Sequence, residues 1–133
     1  MTALPLFLMD THALYWRRLG SPRLSKAAAQ VFDDGIAGKA VLLVHHVAIA
    51  ELFYLLQKHG RVALFTPMLQ DYLAIPYYRI EPLDLVDLEL LGTIPEIPEL
   101  HDRLLALTAK RLGATIVTRD AAIQASPQVT CLW

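Results

Sequence analysis

One cysteine in 133 residues leaves no internal disulfide to brace the chain. That residue, Cys131, lies in a short apolar C-terminal segment that reads as strand rather than as a reactive site. Although 55% of the residues are hydrophobic and the mean hydropathy is positive, no apolar run approaches the roughly 20 residues that cross a bilayer. No membrane association is expected, and the surplus apolar character points instead to an interface with a second copy or a partner. Met1-Thr2-Ala3-Leu4-Pro5 sets no basic region ahead of the first apolar run, so no signal peptide is expected and the expected location is cytoplasmic. Neither sign of charge is in excess: 12 Lys+Arg against 13 Asp+Glu give a net charge of −1, without the bulk signature of a nucleic-acid binder. Linkers, repeats and low-complexity stretches are missing as well, which fits a single domain over residues 1–133. The histidines His12, His45, His46, His59 and His101 form no His-x-x-Glu-His or Cys/His pattern, so spacing assigns them no transition metal and leaves the roles of His45 and His46 open.

What the chain does have is four acids where a soluble domain has little reason to put them. Asp10 closes the apolar run Leu6-Phe7-Leu8-Met9, and Asp120 closely follows Ile116-Val117-Thr118. Glu51 stands inside the apolar stretch from Val47 to Leu56, and Asp102 opens another from Leu104 to Ala109. A carboxylate bordering a buried segment is costly unless it is paired or meets a cation. Singly, Asp10 and Asp120 read equally well as caps of the helices that follow, and Asp102 as a first-turn helix acid. Together the four point to a metal.

Strand-like and helix-like segments alternate along the whole chain. Strands are expected at Leu4 to Met9, Ala40 to Val44, Tyr77 to Ile80, Ala114 to Thr118 and Val129 to Trp133. Between them, helices are expected over Lys26 to Ile36 with Ser25 as N-cap, Val47 to Lys58, residues 62 to 74, Leu91 back to a cap at Asp84, and Glu99 to Leu112 with Gly113 as the stop. Thr11 to Leu19 reads as a short helix or loop, and a short helix is expected near Ala121 to Gln124. This alternation predicts a three-layer α/β/α sandwich with a mostly parallel central sheet. Ligands of such sheets bind beyond the carboxyl ends of the strands, and Asp10 and Asp120 follow two of those ends.

The runs Asp10-Thr11-His12-Ala13-Leu14-Tyr15-Trp16, Ile49-Ala50-Glu51-Leu52, Asp102-Arg103-Leu104-Leu105 and Ile116-Val117-Thr118-Arg119-Asp120 resemble the PIN-domain nucleases, VapC-type toxins in particular. The resemblance covers essentially the whole chain and rests on four separated acids in matching local contexts. It implies an endoribonuclease dependent on Mg²⁺ or Mn²⁺, often a homodimer and often held inactive by a small antitoxin, with transfer or ribosomal RNA as the expected substrate. Carried across, Asp10, Glu51, Asp102 and Asp120 are the implied metal ligands and catalytic acids. Two departures stand out. Glu99-Leu100-His101-Asp102-Arg103 keeps an acid at the first position of the family's Asp-Pro-x-Asp-Arg run but loses the proline, and His45-His46 occupies the turn where a hydroxyl residue is common.

Hard carboxylate oxygens suit Mg²⁺ or Mn²⁺, and the expected chemistry is metal-assisted hydrolysis rather than attack by a side chain. An aspartyl-nucleophile phosphatase is disfavoured, because Thr11-His12 follow Asp10 with no second acid two positions on. Thr11 and Thr118 are candidates for hydrogen bonds to the ligands, against the plainer reading of strand propensity. Arg103 and Arg119 adjoin two acids and are candidate RNA contacts, against simple charge balance. Tyr15 and Trp16 stand between base stacking and apolar packing. Two alternatives to the toxin remain: an RNA-processing nuclease with no antitoxin, and a catalytically silent RNA- or protein-binding module.

Overall fold

Five short strands form the spine of the computed structural model, which describes residues 3–133; Met1 and Thr2, the start of the segment expected to hold no signal peptide, lie outside the described residues. The strands are β1 (Leu6–Met9), β2 (Val41–His45), β3 (Tyr78–Glu81), β4 (Thr115–Val117) and β5 (Thr130–Leu132), in the sheet order β3-β2-β1-β4-β5. Every pair is parallel. The helices are α1 (Thr11–Leu19), α2 (Lys26–Ile36), α3 (His46–Lys58), α4 (Phe65–Ala74), α5 (Leu85–Glu89), α6 (Leu100–Leu112) and α7 (Ala121–Ala125). Among the described residues no helix is long and apolar enough to cross a membrane.

Successive strand residues point to opposite faces of a sheet, and here both faces are covered. Met9, Leu42, Val44 and Val117 join Leu14, Phe32, Leu52 and Leu56 in one core. Their neighbours Leu8, Leu43 and Ile116 join Ile94, Ile97, Leu105 and Ile123 in the other. This is why the strands read as unbroken apolar runs, as parallel strands covered on both sides do. The expected α/β/α sandwich is therefore present, with a sheet that is parallel throughout.

Local signals account for most of the boundaries. The Ser25 hydroxyl accepts from the Ala28 amide at 3.0 Å and starts α2. Gly113, at φ 68°, adopts the left-handed conformation that closes α6. On α2, Gly35 lies so close to the sheet that a Cβ there would meet Leu42 Cδ1 at 2.9 Å and Tyr77 Cδ2 at 3.0 Å. The helix expected over residues 62 to 74 is instead a 3₁₀ turn at Val62–Leu64 followed by α4. Pro67 then falls in the first turn of α4, where its missing amide would have had no partner anyway. Likewise α5 ends at Glu89 and gives way to a 3₁₀ turn at Leu91–Thr93, which holds Gly92.

Much of the chain's apolar surplus on α3 and α4 is used internally. Leu52, Leu56 and Tyr72 are buried, and Phe53 packs edge-on against Phe65 with ring centroids 5.3 Å apart. The large apolar side chains left outside are others, chiefly Tyr54 and Leu73 at 70% and 71% exposure.

The chain runs from β1 outward through β2 and β3, then returns to the other side of β1 as β4. The β1/β4 pair is thus the switch point of the sheet, beside which ligands of open α/β sheets bind.

Candidate metal centre

Helices that connect parallel strands run antiparallel to them, so their N-termini gather at the carboxyl rim of the sheet. Asp10 is the N-cap of α1, directly after β1, and Asp120 is the N-cap of α7, three residues after β4. Asp102 stands in the first turn of α6. Glu51 projects from α3 roughly a turn and a half from its start. All four line one open cleft of about 440 Å³, together with His12, Glu99, Arg119 and Ala121. The tertiary fold therefore brings together the four acids that the sequence pattern singles out.

Each acid is held by its surroundings. The Asp10 carboxylate accepts from the Thr11 amide at 2.6 Å through Oδ1 and from the Thr118 hydroxyl at 2.7 Å through Oδ2. Thr118 is fully buried, and its hydroxyl also accepts from the Asp120 amide at 3.1 Å. One threonine thus fixes the acid after β1 and the backbone that leads to the acid after β4. Asp120 Oδ1 accepts from the Ile123 amide at 3.0 Å. The capping roles weighed for Asp10 and Asp120 are real, and both carboxylates still face the cleft. Glu99 caps α6, accepting from the Asp102 amide at 2.9 Å and lying 2.8 Å from His101 Nδ1. Helix entry without the proline is therefore managed by a glutamate side chain. Thr11 donates to the Ala48 carbonyl at 3.5 Å and ties α1 to α3.

The charges in the cleft are unfavourable in the absence of a cation. Burial, and then the neighbouring Asp10, push the Glu51 carboxyl up to about 7. Burial, and then Asp120 and Glu99, do the same for Asp102, also to about 7. Glu51 Oε1 is buried and has no hydrogen-bond partner. Orphaned acceptors of this kind are uncommon in folded proteins, and hard oxygens that repel one another are the donor set a divalent cation satisfies. Among the described residues, no three His, Cys, Asp or Glu side chains close on a single point tightly enough to hold an ion directly. Mg²⁺ typically touches one or two carboxylates directly and keeps several waters. The residues present fit such a group.

The other candidates divide. Arg119 lines the cleft, its guanidinium 4.6 Å above the Trp16 ring. Arg103 does not reach it: its Nε donates to the Ile97 carbonyl and its Nη1 to the Leu91 carbonyl at 3.3 Å. One residue along a helix turns the side chain by about 100°, and Arg103 braces the turn before α6 instead of lining the cleft. Tyr15 and Trp16 are buried, as apolar packing requires. His12 lines the cleft, as does Glu99, an acid that the sequence reading left out of the metal set. Its signal was present, since it stands three residues before Asp102 at the head of α6.

His45 and His46 play unrelated parts. His46 is exposed, whereas His45 is fully buried. His45 Nδ1 accepts from the Val47 amide at 2.9 Å and so caps α3. His45 Nε2 lies 3.2 Å from the Thr108 hydroxyl, which donates to Asp87 at 2.7 Å, and Arg111 grips the buried Asp87 with two bonds of 2.9 Å. Burial, reinforced by His46, lowers the His45 pKa to about 4 and keeps the ring neutral.

An all-parallel α/β/α sandwich with carboxylates gathered at its switch point defines an α/β domain with an acidic cleft at the carboxyl rim of its sheet. The chain belongs to the PIN domain family, whose profile matches residues 7–126. No curated protein sequence matches it. Solved structures similar in fold include VapBC2 from Rickettsia felis bound to a DNA fragment from its promoter. That alignment has a TM-score of 0.73 at 16% identity and covers 96% of this chain and 97% of that one. FitAcB from Neisseria gonorrhoeae aligns with a TM-score of 0.69 at 20% identity, over 95% of this chain and 96% of that one. VapC20 of Mycobacterium tuberculosis, described as a Sarcin-Ricin loop cleaving toxin, aligns with a TM-score of 0.70 at 15% identity, over 91% and 95%.

Proposed function

We propose that this chain is a Mg²⁺- or Mn²⁺-dependent endoribonuclease, the toxin of a type II toxin–antitoxin pair. In this reading it acts in the cytoplasm on transfer or ribosomal RNA, as a homodimer, and a cognate antitoxin restrains it. The observation that carries the reading is the convergence of Asp10, Glu51, Asp102 and Asp120 in one cleft at the β1/β4 rim, with a buried Glu51 oxygen lacking a partner. Family membership supports the nuclease, and the toxin–antitoxin proteins among the similar structures support the partner.

Asp10, Glu51, Asp102 and Asp120 would hold the ion. The chemistry such an ion supplies when bound is Lewis acidity, which activates water for attack on phosphorus and offsets the charge that builds on the phosphate oxygens. The chain's own residues set the stage for it. Thr118 aims the Asp10 carboxylate, and the α6 cap presents Asp102. Arg119, at the cleft edge, contributes a fixed positive charge to meet the RNA backbone. Exposed apolar side chains such as Leu73 are available to a second copy or to the antitoxin.

The test incubates partner-free protein with transfer and ribosomal RNA in Mg²⁺, Mn²⁺ or chelator, beside Asp102→Asn. That variant keeps the helix cap, which uses the Asp102 backbone amide. Discrete cuts that need metal and vanish in the variant are expected. If metal stabilises the protein and yet no RNA is cut, the silent binding module replaces this reading.

A further inference from the structure

Beside the acidic cleft lies a second cavity of about 320 Å³ with the opposite character. Its lining includes Arg23, Arg61, Arg119, His12 and His59 and no carboxylate. His12 and Arg119 line both cavities, so the two are adjacent. Among the described residues, other arginines such as Arg17, Arg18, Arg79 and Arg111 pair with Asp or Glu, whereas Arg23, Arg61 and Arg119 have no carboxylate within ion-pair distance.

Two of these free guanidinium groups are nevertheless held in place. Arg61 Nη1 donates to the Tyr15 hydroxyl at 2.7 Å, and Tyr15 itself is anchored in the core from α1. Arg119 lies 4.6 Å over the ring of buried Trp16. The His59 ring stacks on Tyr15, with centroids 5.8 Å apart and planes 17° from parallel. Neutral partners orient these cations without cancelling their charge. Such preorganised guanidinium groups suit a phosphate, and an exposed imidazole on an aromatic shelf suits a nucleobase face.

We infer that this cavity is an RNA subsite: Arg23, Arg61 and Arg119 hold a backbone phosphate one or more nucleotides away from the bond to be cut. The inference rests on the nuclease reading and deepens it. Four acids repel a polyanion, so an approaching strand needs an attractive anchor beside them. A phosphate fixed in the basic cavity would draw the strand across the rim and leave its neighbour over the carboxylates. His12 and Arg119 stand where the strand passes from one cavity to the other.

The experiment measures binding of a labelled single-stranded RNA to the Asp102→Asn protein in Mg²⁺ over a salt series, with thermal melting to confirm that each variant is folded. Arg23→Gln and Arg61→Gln should each weaken binding roughly tenfold at low salt and flatten the plot of log affinity against log salt by a fraction of the ~0.7 that one phosphate contributes. Tyr15→Phe should weaken binding less and leave that slope unchanged, because it loosens Arg61 without removing charge. Arg18→Gln, which removes the same charge from an arginine paired with Asp71 at 3.1 Å, is the control and should change little. The inference is overturned if Arg23→Gln and Arg61→Gln do no more than the control, or if no RNA binds. It is also overturned if these variants lose binding to polyglutamate while RNA binding is untouched, which would assign the cavity to an acidic protein segment. Loss of RNA binding in the variants, with no cleavage by the wild type, would leave the subsite standing and remove the nuclease reading.

Discussion

Glu51 is the residue on which the cleft's electrostatics turn. Burial raises its pKa to about 7, and one of its oxygens finds no donor. A carboxyl whose folded pKa lies above its unfolded value contributes stability that is complete below the unfolded pKa and lost as pH rises through the folded one. For Glu51 and Asp102 that loss runs from about 4 to above 7. Buried neutral His45 works in the other direction, since its contribution is present above 6.5 and fades as pH falls toward 4. Two acids outweigh one imidazole. In chelator, the melting temperature should therefore fall between pH 5 and pH 8, and Glu51→Gln should both raise it at pH 8 and flatten the slope. Unchanged melting of Glu51→Gln at pH 8 would contradict this account of the cleft. Thr118 presents a different case, because its single hydroxyl serves both Asp10 and the Asp120 amide. Thr118→Val should lower metal affinity and cleavage by about 10–100-fold. A metal titration of the folded variant checks this.

At the scale of elements, the position of Glu51 depends on what holds the start of α3. Three separate segments do so: His45 at the end of β2, Asp87 on α5, and Thr108 with Arg111 on α6. Asp87 is fully buried. Removing it takes both short bonds from Arg111, which keeps only Asp84 at 3.9 Å, and leaves the Thr108 hydroxyl with His45 as its remaining side-chain partner. Asp87→Ala should cost about 2–4 kcal/mol, at the low end for a broken buried pair because Arg111 is partly exposed and can turn to water. Urea unfolding in chelator measures that cost apart from metal. A loss under 1 kcal/mol would show that the clasp contributes little to the fold. None of this clasp is visible in the sequence, where positions 45, 87 and 108 share no pattern. The direction of Arg103 was hidden for a related reason: adjacency to Asp102 in sequence does not set the direction of a side chain on a helix, and carbonyls of the preceding turn hold it.

For the whole molecule, the metal should act as a ligand of the native state alone. The carboxylates meet only when β1, α3, α6 and the start of α7 are assembled, so the unfolded chain offers no comparable site. Mg²⁺ at 100 times its dissociation constant should add about 2.7 kcal/mol to stability, and its apparent affinity should rise with pH through 7 as Glu51 and Asp102 lose their protons. Calorimetric melting across a Mg²⁺ series would register this as a saturable rise, absent in Asp10→Asn. An equal rise in that variant would place the ion elsewhere. Association belongs to this scale as well. Sedimentation equilibrium should give a dimer, and Leu73→Glu, at a side chain 71% exposed, should leave the monomer folded and weaken the dimer.

The layering and the acid set were legible in the sequence because both follow from local rules. Apolar runs of strand length alternating with capped helices commit the chain to a parallel sheet covered on both faces. An acid that ends such a run must then lie at the carboxyl rim. Glu51 was legible because a carboxylate with Val47, Ala48, Tyr54 and Leu55 one turn away along a helix has no cheap place in a core. The strand order, which makes β1 and β4 neighbours and so sets Asp10 beside Asp120, was decided by tertiary packing alone. Packing likewise sent Arg103 away from the cleft while Arg119 stayed in it, and it put a basic cavity next to the acidic one. Sequence determines which side chains are costly to bury and which segments are rigid. Only the folded chain determines which of them meet, because contacts between distant segments depend on how the layers dock.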